Sequence, residues 1–217
     1  DPQKVLDLCF YIMVSALLGA RLLYVVVEYQ YFLANPLEIF MFWKGGLVFY
    51  GGLILGVLVS LWYLQRSNMP VWKTADLLAP SIALGQSIGR WGCLFAGCCY
   101  GKKTDVAWGV SFADPRSLAP LGVTLHPTQI YLSLNALIIF VFLLWLNQRK
   151  VFDGQLLWSY GILYSIGRFV IEYFRGDDRG FPIEQVFSTS QFVGVIVFVL
   201  SAFMLLTLYR KNLRAHS

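Results

Sequence analysis

Three arginines stand inside otherwise apolar stretches of the chain: Arg21, Arg90 and Arg168. An arginine at mid-bilayer costs at least ~2.5 kcal/mol on insertion scales, so such residues face a polar cavity or a partner. The planar guanidinium grips a phosphate through two parallel N–H bonds and keeps its proton at ordinary pH. At that depth the available anion is a lipid phosphate. Two readings stay open: a clamp for phosphate, or a structural role in which Arg168 pairs with Glu172 one turn on and Arg21 snorkels to the interface.

His126 is the one histidine outside the C-terminal tail. An imidazole with an ordinary pKa near ~6.5 can accept a proton at neutral pH; a histidine preceding a proline can equally anchor a turn. Tyr50, a phenol with an ordinary pKa near ~10, is a poor base but can donate a hydrogen bond to phosphate. Cys9, Cys93, Cys98 and Cys99 form no zinc-ribbon spacing, and no histidine or acid lies at ligand distance along the chain. Small-residue packing is therefore expected of Cys98 and Cys99, with a Cys93–Cys98 bridge as an alternative. No metal and no cofactor are expected.

These residues need elements to carry them. Apolar runs at about Val5–Val27, Gly46–Leu64, Leu77–Gly97, Ile130–Leu146, Leu156–Phe174 and Phe192–Tyr209 approach or exceed the roughly 20 residues that cross ~30 Å of hydrocarbon. The expected fold class is all-α: a polytopic transmembrane bundle of about six helices forming a single domain. The aromatic stretch Tyr29–Gly45, broken at Asn35-Pro36, suits the head-group level. Residues 98–127 turn polar and read as an extramembrane head segment after the third span.

With 58% hydrophobic and 13% charged residues, the composition departs from that of soluble proteins, about a quarter of whose residues are charged. The net charge of +5 is scattered between apolar spans, which argues for a membrane surface and against nucleic acid. If the first span starts inside, Lys4, Arg66, Lys73, Arg149, Lys150, Arg210, Lys211 and Arg214 are cytoplasmic, against Lys44, Lys102, Lys103, Arg116, Arg175 and Arg179 outside. That balance favours a cytoplasmic C-terminus and places the three buried arginines in the outer halves of their spans, where they can converge at one depth. No charged n-region precedes a short apolar core, so no signal peptide is read, and an N-terminal piece is expected to be absent.

The run Gly89-Arg90-Trp91-Gly92-Cys93-Leu94-Phe95-Ala96-Gly97-Cys98-Cys99-Tyr100-Gly101 resembles the signature of the prolipoprotein diacylglyceryl transferase family. Four other places agree, in the same order along the chain: Gly19-Ala20-Arg21-Leu22-Leu23-Tyr24, Gly45-Gly46 through Gly51-Gly52, His126-Pro127-Thr128-Gln129-Ile130-Tyr131, and Gly167-Arg168 through Glu172 with Phe174-Arg175. Cys93, Ala96 and Cys98 stand where the family usually has Asn, Asn and Glu, and Tyr50 stands where it has histidine. The family also carries one more helix ahead of the first span, bearing a functional tyrosine.

The resemblance implies transfer of a diacylglyceryl group from phosphatidylglycerol to the thiol of a lipobox cysteine in a prolipoprotein signal peptide, with glycerol phosphate leaving. It implies a bacterial inner-membrane enzyme with its site near the extracytoplasmic face. Arg90, Arg168, His126 and Glu172 are the expected catalytic residues; Arg21, Tyr24, Tyr50, Gly51, Gly92, Gly101, Gln129, Tyr131 and Arg175 are the expected substrate-binding ones. Two other classes fit the same residues: a membrane protein that holds anionic head groups without bond making, and a thiol redox protein built on Cys93, Cys98 and Cys99.

Overall fold

The computed structural model describes residues 2–177 and 188–216, and they are mostly helical. Arg179, counted above on the outer side, lies outside the described residues. The chain divides into two compact units, one ending at Val71 and one beginning at Trp72.

In the first unit, helix α1 (Pro2–Val27) is followed by a short α2 (Tyr29–Ala34), two 3-10 turns (Pro36–Phe40 and Phe42–Lys44) and α3 (Phe49–Arg66). The expected break at Asn35-Pro36 is where α2 ends. Helices α1 and α3 pack side by side at backbone contact. A Cβ on Gly19 would strike the Gly51 carbonyl and lie 2.6 Å from Leu55 Cβ, and one on Gly52 would lie 2.7 Å from the Ala16 carbonyl. Only small residues let two helices approach so closely.

The second unit holds α4 (Val71–Ala96), α5 (Thr128–Asn147), α6 (Gln155–Glu172) and α7 (Thr189–His216). Its apolar core joins Ala79 and Ala83 of α4 to Ile139 and Leu143 of α5 and Leu156 of α6. Ser87 and Ser133 hydrogen-bond across α4 and α5, while Gly161 of α6 faces Ser201 of α7. Between α4 and α5 a small antiparallel ribbon forms, β1 (Val110–Ser111) with β2 (Thr124–Leu125). It continues through 101–103 to Arg175 by way of the Lys103–Leu125 and Gly101–Arg175 bridges.

Helix α4 begins six residues before the expected Leu77 and carries Pro80 within it. Asp76 accounts for the early start, because its carboxylate is buried and fully engaged rather than facing lipid. Oδ1 accepts from the backbone N–H groups of Leu156 (2.9 Å) and Leu157 (3.0 Å), and Oδ2 from that of Gly154 (2.8 Å). Lys150 Nζ lies 3.0 Å away. Asp76 thus caps the first turn of α6, whose own N-cap residue, Gly154, has no side chain to do so. Helix α7 runs past the expected Tyr209 into Arg210–Arg214, since a helix need not stop where hydrocarbon does.

Three helices, α1, α5 and α7 as far as Arg214, are long and apolar enough to cross a membrane. Their apolar surface lies largely uncovered by protein: Leu6, Met13, Ile138, Val199 and Phe203 are all more than half exposed. Patches of that extent mark contact with an apolar surrounding.

Candidate active site

Helix α4 ends at the signature segment, and its ending builds the site. Gly97 adopts φ +69°; its N–H bonds the Leu94 carbonyl at 3.1 Å, and the N–H of Cys98 bonds that of Cys93 at 3.1 Å. This pair of bonds is a Schellman cap, which needs a left-handed residue after the helix. The cap folds Cys98 back over Cys93. Cys99 then takes φ +62°, a conformation a side chain with a Cβ adopts at a cost.

Two α5 residues hold the turn. Thr128 Oγ1 donates to the Cys99 carbonyl at 2.6 Å, and Gln129 Nε2 to the Cys98 carbonyl at 2.8 Å; both side chains are buried. Among the described residues, Gln129 Oε1 is buried without a hydrogen-bond partner. Gly101 is pressed between strands: a Cβ there would strike the His126 carbonyl, lie 2.5 Å from the His126 Cβ and 2.8 Å from the Phe174 carbonyl. Gly92, by contrast, meets open space.

The charged residues lie on either side of this turn. Arg168 Nη2 pairs with Glu172 Oε2 at 2.9 Å and donates to Ser190 Oγ at 2.9 Å. Glu172 Oε2 also lies 3.8 Å from Arg175 Nε, and its Oε1 accepts from Ser188 Oγ at 2.8 Å. Arg175 makes a two-pronged contact with Asp177, Nε to Oδ1 at 2.8 Å and Nη2 to Oδ2 at 2.6 Å. One carboxylate thus serves two guanidiniums, all three nine-tenths buried. Arg90, half-buried, has Nη1 3.9 Å from Cys99 Sγ. Among the described residues no carboxylate pairs with it. Burial, then the neighbouring Cys99 and Cys93, push the Cys98 thiol up to about 12.

His126 sits at the head-segment end of the ribbon. Its Nδ1 is 3.2 Å from Tyr131 Oη, which accepts from Trp108 Nε1 at 2.8 Å. Its ring packs edge-on against Phe174, with centroids 5.3 Å apart. If Nδ1 donates to the tyrosine, Nε2 keeps its lone pair and can accept a proton.

Arg21, Tyr24, Tyr50 and Gly51 belong to the first unit. The Arg21 guanidinium is enclosed by backbone carbonyls: Nε donates to Ile39 at 2.9 Å, Nη1 to Gly45 at 2.7 Å and Gly46 at 3.1 Å, and Nη2 to Glu38 and Met41. The rings of Tyr24 and Phe32 lie 5.5 and 5.3 Å from its carbon. In this setting Arg21 fixes the 36–46 segment. Gly51 makes the α1–α3 contact, and Tyr50 is about half exposed at the start of α3. The sequence reading missed Asp76, Thr128, Trp108, Asp177 and the serines at 188 and 190. Of these Asp76 carried a signal as an acid at the edge of an apolar run, and Thr128 as part of the His126–Tyr131 stretch.

Long apolar helices whose surfaces lie largely uncovered by protein make this a helical membrane protein. The match is more particular than that: residues 1–207 fit the family model described as prolipoprotein diacylglyceryl transferase. The chain is 39% identical over 191 residues to the phosphatidylglycerol–prolipoprotein diacylglyceryl transferase of Clostridium tetani, covering 88% of this chain and 75% of that one. It is 39% identical over 200 residues to transferase 2 of Clostridium perfringens (92% and 77%) and 33% identical over 216 residues to that of Thermosynechococcus vestitus (98% and 80%). The chain belongs to the prolipoprotein diacylglyceryl transferase family.

Proposed function

We propose that this chain carries out the reaction for which its relatives are named, moving a diacylglyceryl group from phosphatidylglycerol to prolipoprotein. The thiol of the lipobox cysteine gives up its proton and attacks the glyceryl carbon; the C–S bond forms, the C–O bond to phosphate breaks, and glycerol phosphate leaves with the bonding pair. The step needs a thiolate and stabilisation of the phosphate as charge builds on it.

The observation that carries this reading is Arg90, a half-buried guanidinium without a carboxylate partner among the described residues. It is free to take the donor phosphate. Arg168, aimed by Glu172, is the second phosphate ligand, and His126 receives the thiol proton through Nε2. Gln129 and Gly101 act through the signature turn, Tyr131 through His126, and Arg175 through Glu172. Gly92 leaves room beside α4 for substrate. Within the first unit, Arg21 and Tyr24 fix the 36–46 segment, and Tyr50 and Gly51 stand at the start of α3; these four are that unit's own lipid-binding residues in this reading. The bundle crosses the bacterial inner membrane with α1 and α3–α7 as six spans, the 98–127 segment outside and the C-terminus in the cytoplasm.

The test is Arg90→Ala in purified, inserted protein given phosphatidylglycerol and a lipobox peptide. Loss of one preorganised donor to developing charge costs roughly 10²–10³ in rate, so glycerol phosphate release should fall by that factor while insertion is unchanged. Release at the parent rate would remove Arg90 from the reaction.

A further inference from the structure

The structure brings three sulfurs of the signature segment close to one another. Cys93, Cys98 and Cys99 are half-buried and outside any disulfide, with every pair of Sγ atoms within 4.8 Å. No cluster of this kind was legible along the chain, because the ligands are not spaced as paired knuckles; the Schellman turn at Gly97 and the left-handed Cys99 bring them together. From this triangle we propose that Cys93, Cys98 and Cys99 bind one thiophilic d¹⁰ metal ion, of which zinc(II) is the representative, through three thiolates.

Chemistry and charge both suit the assignment. Soft thiolates select zinc(II) and copper(I) over harder cations. A tetrahedral centre with Zn–S bonds of ~2.3 Å sets sulfurs about 3.8 Å apart, so the triangle needs to tighten by about 1 Å at most. Each S–H releases its proton to solvent as its S–metal bond forms. Three thiolates around zinc(II) leave one net negative charge, and Arg90, with Nη1 3.9 Å from the Cys99 sulfur, offsets it. Thr128 and Gln129 grip the carbonyls of Cys99 and Cys98, holding two of the ligands from outside the set, as supporting residues do in metal sites. Three protein ligands leave the fourth position open.

The full chain, reduced and stripped with chelator, is titrated with Co²⁺ as an optical stand-in and with Zn²⁺ against a competing dye. One equivalent of Co²⁺ should raise a near-ultraviolet thiolate charge-transfer band. Single Ser replacements of Cys93, Cys98 or Cys99 should weaken Zn²⁺ binding by roughly 100-fold or more, and Cys9→Ser should leave it unchanged. As a check that needs no variant, Zn²⁺ should protect Cys93, Cys98 and Cys99 of the parent protein, but not Cys9, from alkylation read by peptide mass. A parent protein without the band, a band that survives loss of all three cysteines, or alkylation indifferent to Zn²⁺ overturns the proposal. None of these readouts depends on transfer activity, so their failure leaves the assigned reaction standing.

Discussion

His126 owes its orientation to neighbours on two sides: Tyr131 at Nδ1 and the Phe174 ring against its face. A base that takes the acceptor proton contributes 10²–10⁴-fold, so His126→Ala should lower the transfer rate by at least ~10². Tyr131→Phe keeps the ring in its pocket and removes only the hydroxyl shared with Trp108. It should lose less activity than His126→Ala in initial-rate assays on the same lipid and peptide; an equal loss would make the hydroxyl the reacting group instead. Glu172 offers a different test at this scale. Its carboxylate separates two buried guanidiniums, and removing it takes from Arg168 the carboxylate it pairs with, while Arg175 keeps Asp177. Breaking a buried pair in this way costs about 3–5 kcal/mol, so Glu172→Ala should unfold at markedly lower temperature in detergent, whereas Glu172→Gln, which still accepts from Ser188, should lose less.

Among the elements, α6 depends most on a residue from elsewhere in the chain. Its N-terminus begins at Gly154 and Gln155, and the orphan N–H groups of its first turn end on Asp76 of α4. Asp76→Ala strands the N–H groups of Gly154, Leu156 and Leu157 and leaves Lys150 with Asp153 alone, and should destabilise the second unit by about 3–5 kcal/mol, read as a lower detergent melting temperature. Asp153 and Asp76 hold the proton on Lys150, against the opposing pull of burial, and raise it above its usual 10.5. A raised lysine stabilises the fold while protonated, so this contribution is complete below pH 10.5 and fades as pH rises through the higher folded value. The melting temperature of the parent protein should therefore drop above pH 10.5 more steeply than that of Lys150→Met.

This capping contact also shows how much of the fold was legible in the sequence. Apolar runs located every long helix, though α4 starts six residues early and α7 ends seven residues late, because hydrocarbon-length patterning is a property of one segment at a time. Asp76 was lost because its partners lie some eighty residues on, and no local pattern carries that distance. Arg90 was legible as a charge inside an apolar run, and the Arg168–Glu172 pair through i,i+4 spacing. The sulfur triangle was not, because a backbone turn with two left-handed residues assembles it.

At the scale of the whole molecule, the charge balance of the loops and the number of crossings must agree. Six spans put both chain ends of this sequence on one side, and the loop arginines and lysines favour the cytoplasm for that side. The exposed apolar surface of α1 and α7 suits lipid contact, but a helix can lie along a bilayer as well as cross it. An α3 of 18 residues reaches about 27 Å at 1.5 Å per residue, close to the hydrocarbon thickness, and α6 has the same length. Both therefore have just enough length to cross, and they decide the parity. Fusing alkaline phosphatase, active only outside the cytoplasm, after Arg214 should give an inactive reporter, while the same reporter inserted in the exposed turn at Arg116 should be active. Activity at both places would mean an odd number of crossings between the head segment and the C-terminus has become even, with α5, α6 or α7 lying in the interface, and would move the proposed site relative to the lipid phosphates it must reach.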